Sequence, residues 1–427
     1  MHAPFPVCVR VCACGGRYPT MAQFLVGQLE PCMGAYQEVV GMLDQAQAGG
    51  QQPAGELLQR KHVVEGQLTW MTYIIGAVIG GLSWNTAPSN EGEEAIDARL
   101  CSLVFQLAQG VDLRLAQSNG HGKCDQRLEV AIIYFFQFFR KVYLVDSYGS
   151  SMHSLYPSIV MGGALNPLHG GESVNRTSMK QKSTQQMFEH MGLGDQTQII
   201  SIIINKIGNN LKYWSDADDV LIDTLTLFLE LSSANSGKML LGLEPVQFLI
   251  QNHTPDHFPF LMLPQNCRHR TTFHATLTRL IFHQPFDDMQ RTFGTFMEPT
   301  LQLLGKLGAT ENLRAADARQ AIIGVCRDLR GITQATTNKR TYCMLFDMLY
   351  PAFFTVFTRS AEAWFDDPEV TTALLKFIME FVSNKANRVN FDNSSPNGIL
   401  LFRETSSIVC AYGSRILVHQ VRARLCL

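Results

Sequence analysis

Charge is scarce in this chain. Only 17% of its 427 residues are Asp, Glu, Lys or Arg, against about 25% in an average soluble domain. The two signs nearly cancel, with 35 basic and 37 acidic side chains and a net charge of -2. Nucleic-acid binders draw affinity from a surplus of Lys and Arg that neutralises phosphate, so nucleic acid is not an expected partner. Long hydrophobic runs are lacking too. The most apolar stretch, Leu68–Trp84, is diluted by Thr69, Thr72 and Ser83, whereas a membrane span needs about 20 consecutive apolar residues. It reads as a buried core helix, and no membrane is expected as a partner. A secretory leader is not recognisable either: Met1–Cys14 has no charged n-region, and Pro4 and Pro6 interrupt it. The 11 cysteines are scattered and odd in number, unlike a disulfide framework. They fit reduced thiols in the cytosol or nucleus. Cys8, Cys12 and Cys14 have metal-like spacing but no nearby fourth ligand.

Catalytic signatures are equally sparse. There is no G-x-x-x-x-G-K-[ST], no strand-framed G-x-G-x-x-G, no G-x-S-x-G and no H-E-x-x-H, so nucleotide cradling, the nucleophile elbow and zincin chemistry have no support. No enzyme, cofactor or metal is expected. The nearest approach to a metal site is His253, His257, Cys267 and His269. Imidazole and thiolate suit zinc, but Pro255 and Pro259 break the segment, which reads as an inter-helix loop, with a zinc enzyme as the alternative. The carboxylate pairs Asp218–Asp219, Asp287–Asp288 and Asp366–Asp367 each adjoin a helix end, where capping explains them better than acid–base chemistry.

What the sequence has is helical periodicity. Hydrophobic residues make up 46%, and they recur at steps of three and four, the spacing that puts side chains on one helical face. Leu128, Ile132, Phe135, Phe139 and Val142 form one such stripe. Leu221, Leu225, Phe228 and Leu229 form a second, Ile322, Val325, Cys326 and Leu329 a third, and Val370, Leu374, Phe377, Ile378 and Phe381 a fourth. Pro245, Pro299 and Pro351 precede periodic runs and are expected at helix starts. Gln198–Ile207 is isoleucine-rich and strand-like by propensity, but its surroundings favour a helix. Past residue 200 the helical runs follow at about 20 residues, so a pair recurs about every 40, near the period of about 40–47 of HEAT and armadillo arrays. The expected fold is all-α: a HEAT-repeat α-solenoid, a superhelix of antiparallel helix pairs whose apolar faces are buried only by stacking.

The expected organisation is an atypical, disordered segment over 1–20, helical repeats over 21–145, a Gly/Ser-rich disordered insertion over 146–184, a HEAT-like array over 185–417 and an atypical tail over 418–427. Shorter linkers are expected at Asp44–Glu56, Asn85–Glu94 and Gln117–Cys124. Arg327 and Arg330, with Lys339 and Arg340, form a basic cluster, and Asp366, Asp367 and Glu369 an acidic corner. Helical pairs and caps would account for both. A partner surface is the other reading, and it makes Arg327, Arg330, Asp366 and Asp367 the expected partner-binding residues.

The stretch Ser394–Arg415, SSPNGILLFRETSSIVCAYGSR, resembles the exportin-7 branch of the importin-β superfamily. The likeness extends back through Leu345–Asp392 and recurs at Gly324–Ile332, Cys267–Leu280, Leu243–Leu261, Ile204–Trp214, Leu128–Leu144 and Gly66–Gly81. The segments occur in family order across roughly residues 66–417. This resemblance implies a HEAT-repeat superhelix and a nuclear transport receptor that is not itself an enzyme. The implied receptor binds protein cargo cooperatively with Ran-GTP, passes nuclear pore proteins and moves between nucleus and cytoplasm. Family members run to about a thousand residues, so the likeness is to an internal portion, and Ran-GTP binding by this portion alone is not expected. Neither end, Met1–Thr20 or Val418–Leu427, continues the family pattern. A Ran-independent solenoid scaffold for protein–protein interaction is the alternative.

Overall fold

The computed structural model describes residues 18–50, 54–81, 91–144, 185–193, 195–232 and 237–425. Among them the regular structure is entirely helical, with no strand. The helices are α1 (Tyr18–Ala48), α2 (Gly55–Gly81), α3 (Glu91–Gln117), α4 (Gln126–Tyr143), α5 (Gln196–Tyr213), α6 (Asp218–Ser232), α7 (Gly237–Leu241), α8 (Glu244–Gln251), α9 (Cys267–Ile281), α10 (Phe286–Ala309), α11 (Ala316–Ala335), α12 (Lys339–Leu349), α13 (Phe354–Ala363), α14 (Pro368–Val382) and α15 (Asn397–Leu425). A short helix also covers 185–190. The chain divides into two compact units, one running through Tyr213 and the other from Trp214. That boundary lies inside the array expected over 185–417.

In the first unit α1 packs on α2 and α3, α2 on α4, and α3 on α5. Every member of the α4 stripe except Val142 is buried, and Phe105 of α3 meets the rings of Phe135, Phe136 and Phe139 at 5.0–5.9 Å. Burying one such side chain contributes about 1.5–3 kcal/mol. The α2–α4 approach is close because Gly80 has no side chain: a Cβ there would stand 2.0 Å from the Phe138 ring. α2 is long and apolar enough to cross a membrane, yet half of its most apolar window is buried against protein, and it carries the buried Glu65. Gln198–Ile207 lies within α5, so the helical reading stands.

In the second unit α6, α9, α11 and α14 form one row, each packed on the next. All members of the α11 and α14 stripes are buried. The row members run parallel. His269 at the start of α9 reaches Asp218 at the start of α6, while Ser232, the last residue of α6, stands 3.4 Å from the His283 ring just beyond the end of α9. α10 and α13 pack outside this row, with α10 against α11 and α13 against α14 and α15.

The expected period of about 40 residues is too short. The row helices start 49, 49 and 52 residues apart. Bonds between successive row members join residues 48–58 apart. In the first unit the corresponding ties, Arg99 to Glu30 and Arg114 to Asp44, span 69 and 70 residues. In the second unit the added length comes from the helices between row members, α7 and α8, α10, and α12 and α13; in the first unit it comes from helix length. α1, α2 and α3 have 31, 27 and 27 residues, and only their buried portions show as stripes. The linkers shrink accordingly: α1 continues to Ala48 and α2 starts at Gly55, so most of Asp44–Glu56 is helical.

Pro299 is not at a helix start. It lies inside α10, whose buried face runs through it from Phe293, Phe296 and Met297 to Thr300 and Leu304. That burial offsets the cost of roughly 3 kcal/mol for an interior proline. Pro245 does open α8, and Pro351 precedes α13 by one turn. At the ends, α1 begins at Tyr18, inside the expected 1–20 segment, and α15 runs to Leu425, through most of the expected tail. The Cys8–Cys14 cluster and all of 146–184 lie outside the described residues.

Candidate protein-binding face

Three sides of α11 are occupied. Gly324, Asp328 and Gly331 face α9: a Cβ on Gly331 would stand 2.2 Å from the Thr271 carbonyl oxygen, so the two backbones touch. Arg319 faces α14, and Val325, Leu329 and Ile332 fill the core. The fourth side carries Gln320, Arg327, Arg330 and Gln334, spaced so that they fall on one face. Arg327 and Arg330 are both half-buried. Each has its Nε buried without a hydrogen-bond acceptor. The main-chain carbonyl of Arg327 accepts from the Thr271 hydroxyl at 3.1 Å, which puts the Arg327 position level with Thr271 on α9.

Asp366 and Asp367 lie at the other edge of the row, at the start of α14. Asp367 is the N-cap of that helix and accepts from Glu369 N at 2.9 Å and Val370 N at 3.2 Å, so the capping reading holds. It also receives Arg319 at 2.7 Å, and that guanidinium holds its carboxyl below the usual carboxylate range. Arg319 reaches Glu369 at 2.7 Å, and Arg314 reaches Asp366 at 2.6 Å. The Arg314 guanidinium also lies 5.2 Å from the Trp364 ring centre. These groups line an open cavity of about 540 Å³. The structure therefore separates the four expected residues: the two arginines project from the outer face of α11, and the two aspartates are ion-paired where α14 begins. Lys339 pairs with Asp392 at 2.6 Å and Arg340 lies over the Phe286 ring, so the expected basic cluster is dispersed as well.

The zinc-like residues are dispersed too. The His253 ring stacks on Phe296 at 4.2 Å, with Nδ1 2.8 Å from the Ile250 carbonyl oxygen. His269 pairs with Asp218 at 2.6 Å, and His257 lies edge-on to Phe248. Among the described residues no group of three or more His, Cys, Asp or Glu could hold a metal ion. His253 instead adjoins a buried network in which Asp328 takes both Arg270 and, at 3.2 Å, His274 Nδ1. Burial, with His274 alongside, lowers His253 to about 4. Burial also lowers His274, against the pull of Asp328.

Sequence reasoning missed the residues that tie helix to helix. Arg388, 1% exposed, donates to Thr333 O at 2.6 Å and Thr336 O at 2.9 Å at the end of α11, and to Ser383 O at 3.0 Å and Glu380 at the end of α14. In the first unit Lys206, 1% exposed, lies between Asp112 at 2.7 Å and Glu129 at 2.6 Å. Burial alone would lower its ammonium, but the two carboxylates raise it above the ordinary lysine range. Opposite charges about 50 residues apart signal other ties, Asp218 with His269 and Arg319 with Asp367, but not these two: Lys206 lies 94 residues from Asp112, and Arg388 meets mainly main-chain carbonyls.

The sequence matches the family model described as Exportin-7-like, TPR domain, over residues 10–269. It is 36% identical over 409 residues to Exportin-7-B of Xenopus laevis, covering 94% of this chain and 33% of that protein. It is 34% identical over 367 residues to Ran-binding protein 17 of Homo sapiens, covering 83% of this chain and 30% of that protein. It is 34% identical over 363 residues to Exportin-7 of Dictyostelium discoideum, covering 83% of this chain and 33% of that protein. The chain thus spans about a third of the length of the curated relatives it matches. TPR and HEAT arrays are both stacks of helix pairs, and the parallel row of the second unit, with α10 and α13 packed on it, is of that kind. With a model match over more than half its length and collinear identity over most of it, the chain belongs to the exportin-7-like family.

Proposed function

We propose that this chain is part of a nuclear export receptor that takes up protein cargo together with Ran-GTP, carries it past nuclear pore proteins and so cycles between nucleus and cytoplasm. Collinear identity to Exportin-7-B over 94% of the chain is the observation that supports this reading. Because the chain is a third of that relative's length, the activity belongs to a longer assembly of repeats in which it takes part. The packing suits the task. Row helices are tied mainly to their immediate neighbours, so small shifts at successive junctions add along the array. Cargo and Ran-GTP that favour the same curvature would raise each other's affinity by the same factor. Such a receptor needs no catalytic group of its own, since nucleotide hydrolysis is the work of Ran.

Arg327 and Arg330 are our proposed contacts for a protein partner. Asp366 and Asp367 offer a partner an ion-paired corner rather than free carboxylates, and we assign them the lesser part. The test is an export assay in permeabilised cells with the chain set in a full-length exportin-7 context. Loss of nuclear cargo in the presence of Ran-GTP, abolished by deleting residues 54–417, is the expected result. Export that continues unchanged without those residues would leave a Ran-independent scaffold as the better reading.

A further inference from the structure

Most arginines of the second unit are held by a partner, and Arg340 lies over the Phe286 ring. Arg270, Arg314, Arg319, Arg359, Arg388 and Arg403 are each engaged by a carboxylate or a main-chain carbonyl. Arg268, Arg327 and Arg330 make no ion pair or side-chain hydrogen bond with any described residue, and the last two bury an Nε donor with no acceptor. A buried donor left unmet is costly, and Arg327 and Arg330 each carry one.

The three lie together. Residues 268, 272 and 279 fall on the side of α9 away from the core, between the side that meets α6 and the side that meets α11. Arg268 precedes Thr271 by about one turn, and the Thr271 hydroxyl bonds the Arg327 carbonyl at 3.1 Å. Arg268 and Arg327 therefore flank the α9–α11 seam within about one turn of each other, on helices roughly 8–10 Å apart. Arg330 stands about one turn further along α11, roughly 4.5 Å in axial rise. The nearest carboxylate on this seam, Asp328, points inward and is taken by Arg270 and His274.

We infer that the outer face of the α9–α11 seam is a docking site for an acidic stretch of a partner protein, with Asp or Glu carboxylates received by Arg268, Arg327 and Arg330. The spacing fits an extended peptide: at about 3.3 Å per residue, carboxylates two or three residues apart span the gap across the seam. A guanidinium takes a carboxylate in a two-pronged fork through its terminal nitrogens. Nucleic acid fits less well. Duplex binders commonly neutralise some 6–10 phosphates, against three arginines here on a chain of net charge -2. This inference deepens the protein-binding reading above but does not require Ran.

The test uses the whole chain and a fluorescein-labelled twelve-residue peptide of alternating Glu and Ser, read by fluorescence anisotropy at low salt. The Arg327→Gln/Arg330→Gln variant should bind it at least tenfold more weakly. Arg291→Gln/Arg415→Gln removes the same charge from exposed sites on α10 and α15 and should bind within twofold of wild type. Affinity should fall as salt rises, and matching melting curves would show both variants folded. Equal losses in the two variants would reduce the effect to net charge and overturn the site. So would an undiminished affinity of the Arg327/Arg330 variant, or a single-stranded oligonucleotide of equal charge that binds more tightly through the same arginines. A peptide that binds as expected while export fails would discard the transport reading and keep this face.

Discussion

Replacing Arg388 is the sharpest probe of how successive helices are held. Its guanidinium collects main-chain carbonyls from the ends of α11 and α14 together with the Glu380 carboxylate. Those carbonyls are the ones a helix leaves unpaired at its C-terminus, and both helix dipoles end at the same cation. In Arg388→Ala, Glu380, 4% exposed, would keep only Lys385 at 2.9 Å, and the carbonyls would border a void. Removing one partner of a buried pair costs about 3–5 kcal/mol. Arg388→Lys should cost less, because an ammonium can serve Glu380 but cannot span both helix ends. Since repeat arrays need not unfold in one step, the assay combines urea unfolding with hydrogen exchange resolved by segment. Exchange in α11 and α14 should accelerate by a factor of 100 or more while the first unit is unaffected. A shift under about 1 kcal/mol, or faster exchange spread evenly over the chain, would refute the reasoning.

Gly331→Ala should destabilise the second unit by about 3 kcal/mol or more, the upper end for overpacking, because the new Cβ meets backbone at 2.2 Å. Gly294→Ala, with open space around it, should be neutral or stabilise by up to about 1 kcal/mol; thermal melts of the pair decide. Lys206→Met should weaken the first unit alone by about 3–5 kcal/mol through its stranded carboxylates, and equal loss in both units on segment-resolved exchange would contradict this. His253, lowered to about 4 from 6.5, favours the neutral ring in the fold. Its contribution is complete above pH 6.5 and is lost as pH falls toward 4, by up to about 3 kcal/mol. His253→Gln should flatten that fall in urea midpoints, and identical pH slopes in both proteins would count against it.

The buried stripes were legible because their period is a property of one helix. Leu374, Phe377, Ile378 and Phe381 declare their face without reference to any neighbour, and all are buried. Helix length was less legible. In α2 apolar residues occur on every side, and in α10 the face continues through Pro299, so neither shows its limits by pattern. The repeat length was then misjudged, because it is set by those limits. The site was legible in part. Arg327 and Arg330 stood out as charges near a strong stripe. That they differ from Arg319, on the same helix, follows from which neighbouring helix each faces, and that is fixed by the stack. Asp367 was readable as a cap from its place before Pro368, but not as the acceptor of Arg319, 48 residues earlier.

The most direct test of the central claim measures Ran binding by a full-length exportin-7 in which this chain replaces the matching segment. With Ran held in a non-hydrolysable GTP state or in the GDP state, and an exported cargo present, calorimetry should give at least tenfold tighter binding of the GTP form, with cargo raising that affinity. Equal affinity for the two nucleotide states, unmoved by cargo, would contradict the account.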